Sequence, residues 1–263
     1  MIEISKDKYD ASKHLLDFAA GDKTFAYSII ENRQGGKVYV DNEIDIKSAI
    51  FWHDCGYGLL AEGALSDDSA TTVVNLFNEK HPSSGKGLVL QVLGSDLKNK
   101  IEQERKKDQS IRAGTRLIFR FNRSRFFEEF FKTPVGFSIL QIDGQLYQRI
   151  KGNVVPAFSW ASPEEFINNG IGFCLMKEEE IRSVGFSCFI GNGQIDIGVE
   201  TIPKYRKHGY AKIIASKLIK YCLDNNLEPI WGCSKENISS KKIAMLLGFE
   251  LVGENMYYYK LHR

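Results

Sequence analysis

Through the first sixty residues apolar positions come in short runs, cut by polar and glycine-containing turns, which predicts strands rather than long helices. "TFAYSII", "KVYV", "SAIFWHD" and "YGLLAE" are four such runs, separated by "RQGG", "DNE" and "CG". Ahead of them residues 6–20, with Tyr9, Leu16 and Ala20 among their apolar positions, predict a helix ended by Gly21. After them the pattern predicts a helix over residues 69–79, a strand at "LVLQVL", a charged helix over residues 96–107 and a strand at "RLIFRF". Strands followed by such alternation predict a sheet covered by helices.

"SRFFEEFFK" and then Pro134-Val135-Gly136 mark a boundary, so the chain divides into an N-terminal α/β domain, residues 1–133, and a second domain, residues 134–263. The second opens with a strand at "FSILQID" and a helix at "GQLYQRI". In "SWASPEEFINN" Ser162 caps a helix, Pro163 takes its first position, and two glutamates favour its positive end. "GFCLMK", "IRSVGFSCFI" and "QIDIGVET" read as three consecutive strands. From Gly209 the apolar period changes from two to about 3.6, with Ala211, Ile214, Ala215, Leu218 and Cys222 on one face. A strand at "PIWGC", a helix over residues 237–247 ended by Gly248, and two strands, "FELVGE" and "MYYYKL", complete the chain. The fold class is α/β, and the first half reads as a degenerate copy of the second.

Composition narrows the partners only a little. A net charge of +2 lacks the lopsidedness of a nucleic-acid binder. The five cysteines form no Cys-x-x-Cys pair, which argues against zinc and against a disulfide framework and fits a reducing compartment. The polar opening "MIEISKDKYDASKH" has no signal-peptide core, and no apolar run is long enough to span a bilayer. The expectation is a cytoplasmic protein that binds neither membrane nor metal.

The chemistry concentrates in "ETIPKYRKHGYAKIIASKLIKYC", residues 200–222. A loop between a strand and a helix places unpaired backbone N–H groups and a partial positive charge where a pyrophosphate can meet both. Gly209 permits close backbone approach, small Ala211 keeps the helix near its ligand, and Arg206, Lys207 and His208 make the rim positive or polar.

This segment resembles the GCN5-related N-acetyltransferases (GNAT), which carry Arg/Gln-x-x-Gly-x-Gly/Ala at the head of the helix that grips the pyrophosphate of acetyl-CoA. The element order from about Phe137 onward is similar to that family's. "FSWASPEEFINNGIGFCLM", "IDIGVETIPKYRKHGYA" and "LEPIWGCSKENISSKKIAMLLGF" look like a two-part bacterial subgroup that includes zwittermicin A self-resistance acetyltransferases, with Trp231 and Cys233 the distinctive pair. The resemblance implies a GNAT-like mixed sheet in which the "IDIGVET" strand diverges from "PIWGC". Main-chain groups of Val199 and Thr201 then bind the pantetheine, and residues 206–211, Tyr210 included, bind the pyrophosphate. It also implies cofactor contacts for Asn237, in the place of the family's asparagine, and for Ser240. Gly248-Phe249 matches the family's Gly-Phe. The implied activity is acetyl transfer from acetyl-CoA to a primary amine of a small molecule, by direct attack in a ternary complex. A non-catalytic acyl-CoA sensor is the alternative, and a homodimer is compatible with either.

One position departs from the family. Many members have a tyrosine four residues before the Gly-Phe, where it protonates the leaving thiolate; here it is Ala244. A missing acid costs about 10²–10⁴ in rate if nothing replaces it. Cys233, Ser234 and one of Tyr257, Tyr258 and Tyr259 are candidate replacements. Glu200 is the candidate base, unless its face of the strand turns away from the acceptor. Cys233 also reads as a buried apolar residue, and Asn237 as a simple helix cap. "FWHDC" holds the residue types of a nucleophilic triad, but neighbours in a strand point to opposite faces. "HPSSGKG" lacks the first glycine and the hydroxyl residue of a phosphate loop.

Overall fold

The computed structural model describes residues 1–18, 21–62, 71–75, 88–92 and 95–260. The chain forms two compact units, Met1–Leu117 together with the stretch from Gly253 onward, and Ile118–Val252. This division differs from a cut at 133/134 because two strands, β6 (Ile111–Phe121) and β12 (Phe249–Lys260), have residues in both units.

In the first unit β1 (Ile2–Glu3), β2 (Gly36–Val40), β3 (Ser48–His53), β4 (Tyr57–Glu62), β5 (Leu88–Val92) and the end of β12 lie in that order. Pairing is antiparallel except between β4 and β5, which run parallel from Tyr57↔Val89 to Leu60↔Val92. The helices are α1 (Leu15–Phe18), α2 (Thr24–Ile30), α3 (71–75) and α4 (Ser95–Lys107). Tyr39, Ile50, Trp52, Leu60, Val73, Leu90, Ile101, Ile111 and Tyr258 form a core cluster. Of the helix expected over residues 69–79, only 71–75 are described, and "HPSSGKG" lies outside the described residues.

Three expectations are corrected here. "TFAYSII" is not a strand but α2, buried at every position. A helix with no solvent face has no polar period, and aromatic and β-branched residues bias the reading towards strand. The expected helix over 6–20 is a 3₁₀ segment (Lys6–Ser12) followed by α1. The last two expected strands are the single strand β12, which runs through Gly253-Glu254-Asn255 without a turn.

The second unit has β7 (Ser138–Gln141), β8 (Gly172–Lys177), β9 (Glu180–Gly191), β10 (Gln194–Thr201) and β11 (Glu228–Ser234), in the order β11-β10-β9-β8-β7. Its helices are α5 (Gly144–Arg149), α6 (Pro163–Asn169), α7 (Tyr210–Asp224) and α8 (Ile238–Leu246). Ser162 caps α6 as expected: its Oγ accepts from the Glu165 N–H at 3.0 Å, and Glu165 reaches back to the Ala161 N–H at 2.7 Å. Gly248 ends α8 at φ +89°, where a Cβ would come 3.1 Å from the backbone at Asn122 and Arg125. α7 buries Ile213, Ile214, Ala215, Leu218, Ile219 and Cys222. A Cβ at Gly185 would lie 3.2 Å from the Ile214 carbonyl, which shows how closely α7 lies on β9. Among the described residues no helix is long and apolar enough to cross a membrane.

Candidate functional site

β10 is paired with β9 along its whole length, to Thr201↔Ser183, but with β11 only over Gln194–Asp196. The parallel pair therefore parts after Asp196, and the rest of β10 keeps one edge without a ladder partner. The alternation shows which groups face that edge. Ile202 N–H donates to the Arg182 carbonyl at 3.1 Å, so Gly198 and Glu200 turn their main-chain groups to β9. Val199 and Thr201 turn theirs the other way. These are the two residues whose main chain the sequence singled out.

β10 leads through a 3₁₀ turn (Pro203–Tyr205) into the loop before α7. Both Lys207 and Gly209 sit in the left-handed region, at φ +68° and +80°. Such a loop draws successive N–H groups into a concave, anion-attracting surface. Gly209 is the N-cap of the fifteen-residue α7, with no side-chain cap, so the first-turn N–H groups of Tyr210 and Ala211 are left for another acceptor. His208 Nδ1 donates to the carbonyls of Arg206 (2.9 Å) and Tyr205 (3.2 Å), which assigns the proton to that nitrogen. Its ring stacks on Tyr210 at 5.4 Å, and Tyr210 packs on Phe137 at 5.2 Å. Tyr205 is held by the Arg182 guanidinium 3.9 Å from its ring centroid and by a hydrogen bond from its hydroxyl to Glu180. That bond, and then Lys204, hold the Glu180 carboxyl below its ordinary value.

Glu200 lies at the end of β10, with its side chain on the face away from α7. Its Oε1 accepts from Arg206 Nη2 at 2.9 Å, its Oε2 from the Val154 N–H at 3.3 Å, and its side chain is 13% exposed. Arg206 Nε also donates to the Thr201 carbonyl at 3.2 Å. Sequence reasoning missed Val154 and Gly152 as neighbours of this carboxylate, and nothing in their local pattern points to it.

The other candidates fall into a second group around α8. Asn237 Oδ1 accepts from the Ser240 N–H at 3.0 Å, which makes it the N-cap of α8. Ser240 Oγ accepts from Trp231 Nε1 at 3.1 Å, and the Trp231 ring packs on Phe249 at 5.5 Å. Cys233 is buried and shares the Trp231 face of β11, turned to this packing. The Ser234 hydroxyl bonds Glu236. Ala244 is fully buried, and so is Tyr258, in the core of the first unit. Burial pushes Tyr258 up to about 12 and the Cys174 and Cys222 thiols up to about 12.

With this geometry in place, comparison with known proteins is direct. The sequence pattern of the GNAT acetyltransferase family matches residues 13–258. The uncharacterized N-acetyltransferase YdfB of Bacillus subtilis (strain 168) is 26% identical over 262 residues, covering 98% of this chain and 97% of the relative. The crystal structure of a GCN5-related N-acetyltransferase-like protein from Streptococcus suis 89/1591 superposes with a TM-score of 0.77 at 22% identity, covering 97% of this chain and 98% of that one. A tandem GNAT protein from the clavulanic acid biosynthesis pathway has the same fold over 100% of this chain and 98% of its own, with a TM-score of 0.59 at 12% identity.

Proposed function

The chain belongs to the GNAT acetyltransferase family and is an acetyltransferase; from that premise we propose that its second unit binds acetyl-CoA along the free edge of β10 and transfers the acetyl group to a primary amine of a small molecule. The observation that carries the reading is the parting of β10 from β11 after Asp196, directly ahead of a loop with two left-handed residues at a helix N-terminus.

The residues fit such a ligand. The main-chain groups of Val199 and Thr201 match the two amides of pantetheine as an added strand would. The N–H groups at Gly209, Tyr210 and Ala211 receive the pyrophosphate, with Arg206, Lys207 and His208 adding positive or polar character at the rim. Asn237 and Ser240 act mainly by holding the first turn of α8 beside the opening. The name of the relative YdfB, an N-acetyltransferase, agrees with a nitrogen acceptor and says nothing of its size or class.

In the reaction the amine nitrogen attacks the thioester carbonyl carbon, the C–S bond breaks, and an amide and the CoA thiol result. The amine loses one proton and the thiolate gains one, so no redox partner is needed. The chain contributes chiefly alignment of the two reactants in one ternary complex. With no tyrosine at position 244, and Cys233 turned to the α8 packing, transfer relies on that alignment more than on a dedicated acid.

Calorimetric titration of acetyl-CoA into the native protein and into Gly209→Val tests the reading. The valine is strained by about 1–3 kcal/mol at this φ and forces the loop to another conformation. Micromolar binding that the substitution weakens by about 100-fold or more is expected, given the lost N–H contacts. Equal heats in both proteins, or none in either, would sink it.

A further inference from the structure

Glu200 was expected to be a base, yet its carboxylate already has two partners. One oxygen holds the Arg206 guanidinium at 2.9 Å and the other the Val154 N–H at 3.3 Å. The guanidinium is fixed a second time, by Nε on the Thr201 carbonyl at 3.2 Å. The Glu200 backbone is fixed as well: Ser183 Oγ donates to its carbonyl at 2.9 Å and lies 2.9 Å from Thr201 Oγ1. The stretch before Val154 is pressed close, since a Cβ on Gly152, at φ +151°, would come 3.0 Å from Glu200 Cγ.

This arrangement is planar at both ends. A carboxylate offers two oxygens in one plane, and an arginine offers Nη2 and Nε in one plane, so each group makes two bonds that define its orientation. The Glu200 carboxylate is largely shielded from water while the Arg206 side chain is 55% exposed, so what the pair chiefly supplies is direction rather than strength. The side chain that could swing freely at the loop rim is thereby held in one direction. The segment after α5 is tied to the same carboxylate.

We propose that Glu200 is a positioning residue: it orients the Arg206 guanidinium for the pyrophosphate of acetyl-CoA and anchors the Gly152–Val154 segment beside the same strand, rather than taking a proton from the amine. The proposal rests on the acetyl-CoA reading above. It makes Glu200 act on acetyl-CoA affinity through Arg206, so its effect on that affinity must vanish when Arg206 is gone, whereas the Val154 bond bears on the melting temperature. A base, or a residue that merely keeps the fold intact, would show no such dependence.

The test is a double-mutant cycle on acetyl-CoA affinity in the full-length protein, with Glu200→Gln, Arg206→Met and the double variant, and the melting temperature of each recorded. Glu200→Gln is expected to weaken acetyl-CoA binding about tenfold in the native background and less than about twofold beside Arg206→Met. Arg206→Lys leaves Glu200 in place but cannot bond Glu200 and Thr201 together in one plane, and is expected to lose about tenfold as well. This exposed substitution keeps the test valid if the glutamine variant melts early. Unchanged affinity in Glu200→Gln, equal losses in both backgrounds, or full affinity in Arg206→Lys would each overturn the proposal. Absence of binding by the native protein would instead remove the acetyl-CoA reading on which it stands.

Discussion

Each unit has a parallel strand pair among its described pairings, and the two pairs behave differently. In the first unit β4 and β5 stay in register from Tyr57↔Val89 to Leu60↔Val92, and Leu59, Leu60 and Leu90 are fully buried. In the second, β10 and β11 part after Asp196↔Ile230. The sequences that follow differ in sign. After β4 comes "GALSDDSA" (residues 63–70), with Asp67 and Asp68 and no lysine or arginine, whereas β10 is followed by "IPKYRKHGYA". An acidic stretch repels a pyrophosphate; a basic one with left-handed backbone attracts it. On the proposed reading, the same kind of strand pair serves packing in one unit and the acetyl-CoA site in the other.

The contrast can be broken most severely by charge. Arg206→Glu is expected to weaken acetyl-CoA binding about 100-fold, because it removes a donor and adds repulsion. Asp67→Asn with Asp68→Asn is expected to leave the affinity within about twofold, since the proposed cofactor site draws only on residues of the second unit. Titration calorimetry of the two variants reads both; comparable losses would mean that the first unit also handles the ligand.

His53 sharpens the packing side of the comparison. It is buried in β3, and its Nδ1 accepts from the Cys55 N–H at 3.1 Å. Burial pulls it down from 6.5 to about 3. The unfolded chain therefore binds a proton between those values that the folded one refuses. Its contribution is fully present above about pH 6.5 and is lost as pH falls towards 3, by up to about 1.4 kcal/mol per pH unit. Urea unfolding from pH 7 to pH 5 should show a shallower decline for His53→Asn, which can still accept from Cys55 but does not titrate. Equal slopes would place the acid sensitivity elsewhere.

Two smaller effects concern α8. Ala244→Tyr puts a ring where there is no exposed surface, and is expected to cost about 1–3 kcal/mol in urea unfolding without raising turnover. Restored activity with unchanged stability would mean the packing there accommodates the family's tyrosine. Ser240→Ala removes the acceptor of the Trp231 indole and is expected to cost about 1 kcal/mol in thermal unfolding. A loss below measurement would show that the indole finds another acceptor.

What was legible from the sequence was whatever acts over a few neighbouring residues. The cap at Ser162, the left-handed glycines at 209 and 248 and the buried face of α7 each depend on bonds within about one helical turn. The alternation along β10, which turns Val199 and Thr201 to the open edge, is a period of two and equally local. α2 was misread because burial on every side erases the polar period that distinguishes helix from strand, although Asp22, whose carboxylate accepts from the Thr24 N–H at 3.0 Å, was a local hint of a helix start. β12 reads from the sequence as two strands that break at Asn255, where the sheet keeps the chain extended. Glu200 shows the limit most clearly. The sequence by itself put a carboxylate on the strand beside the proposed cofactor loop and named its face. Whether that carboxylate is open to an amine or occupied by Arg206 and by Val154, 46 residues away, was decided only by the tertiary structure, because periodicity reports a side chain's face and not which distant backbone group meets it there.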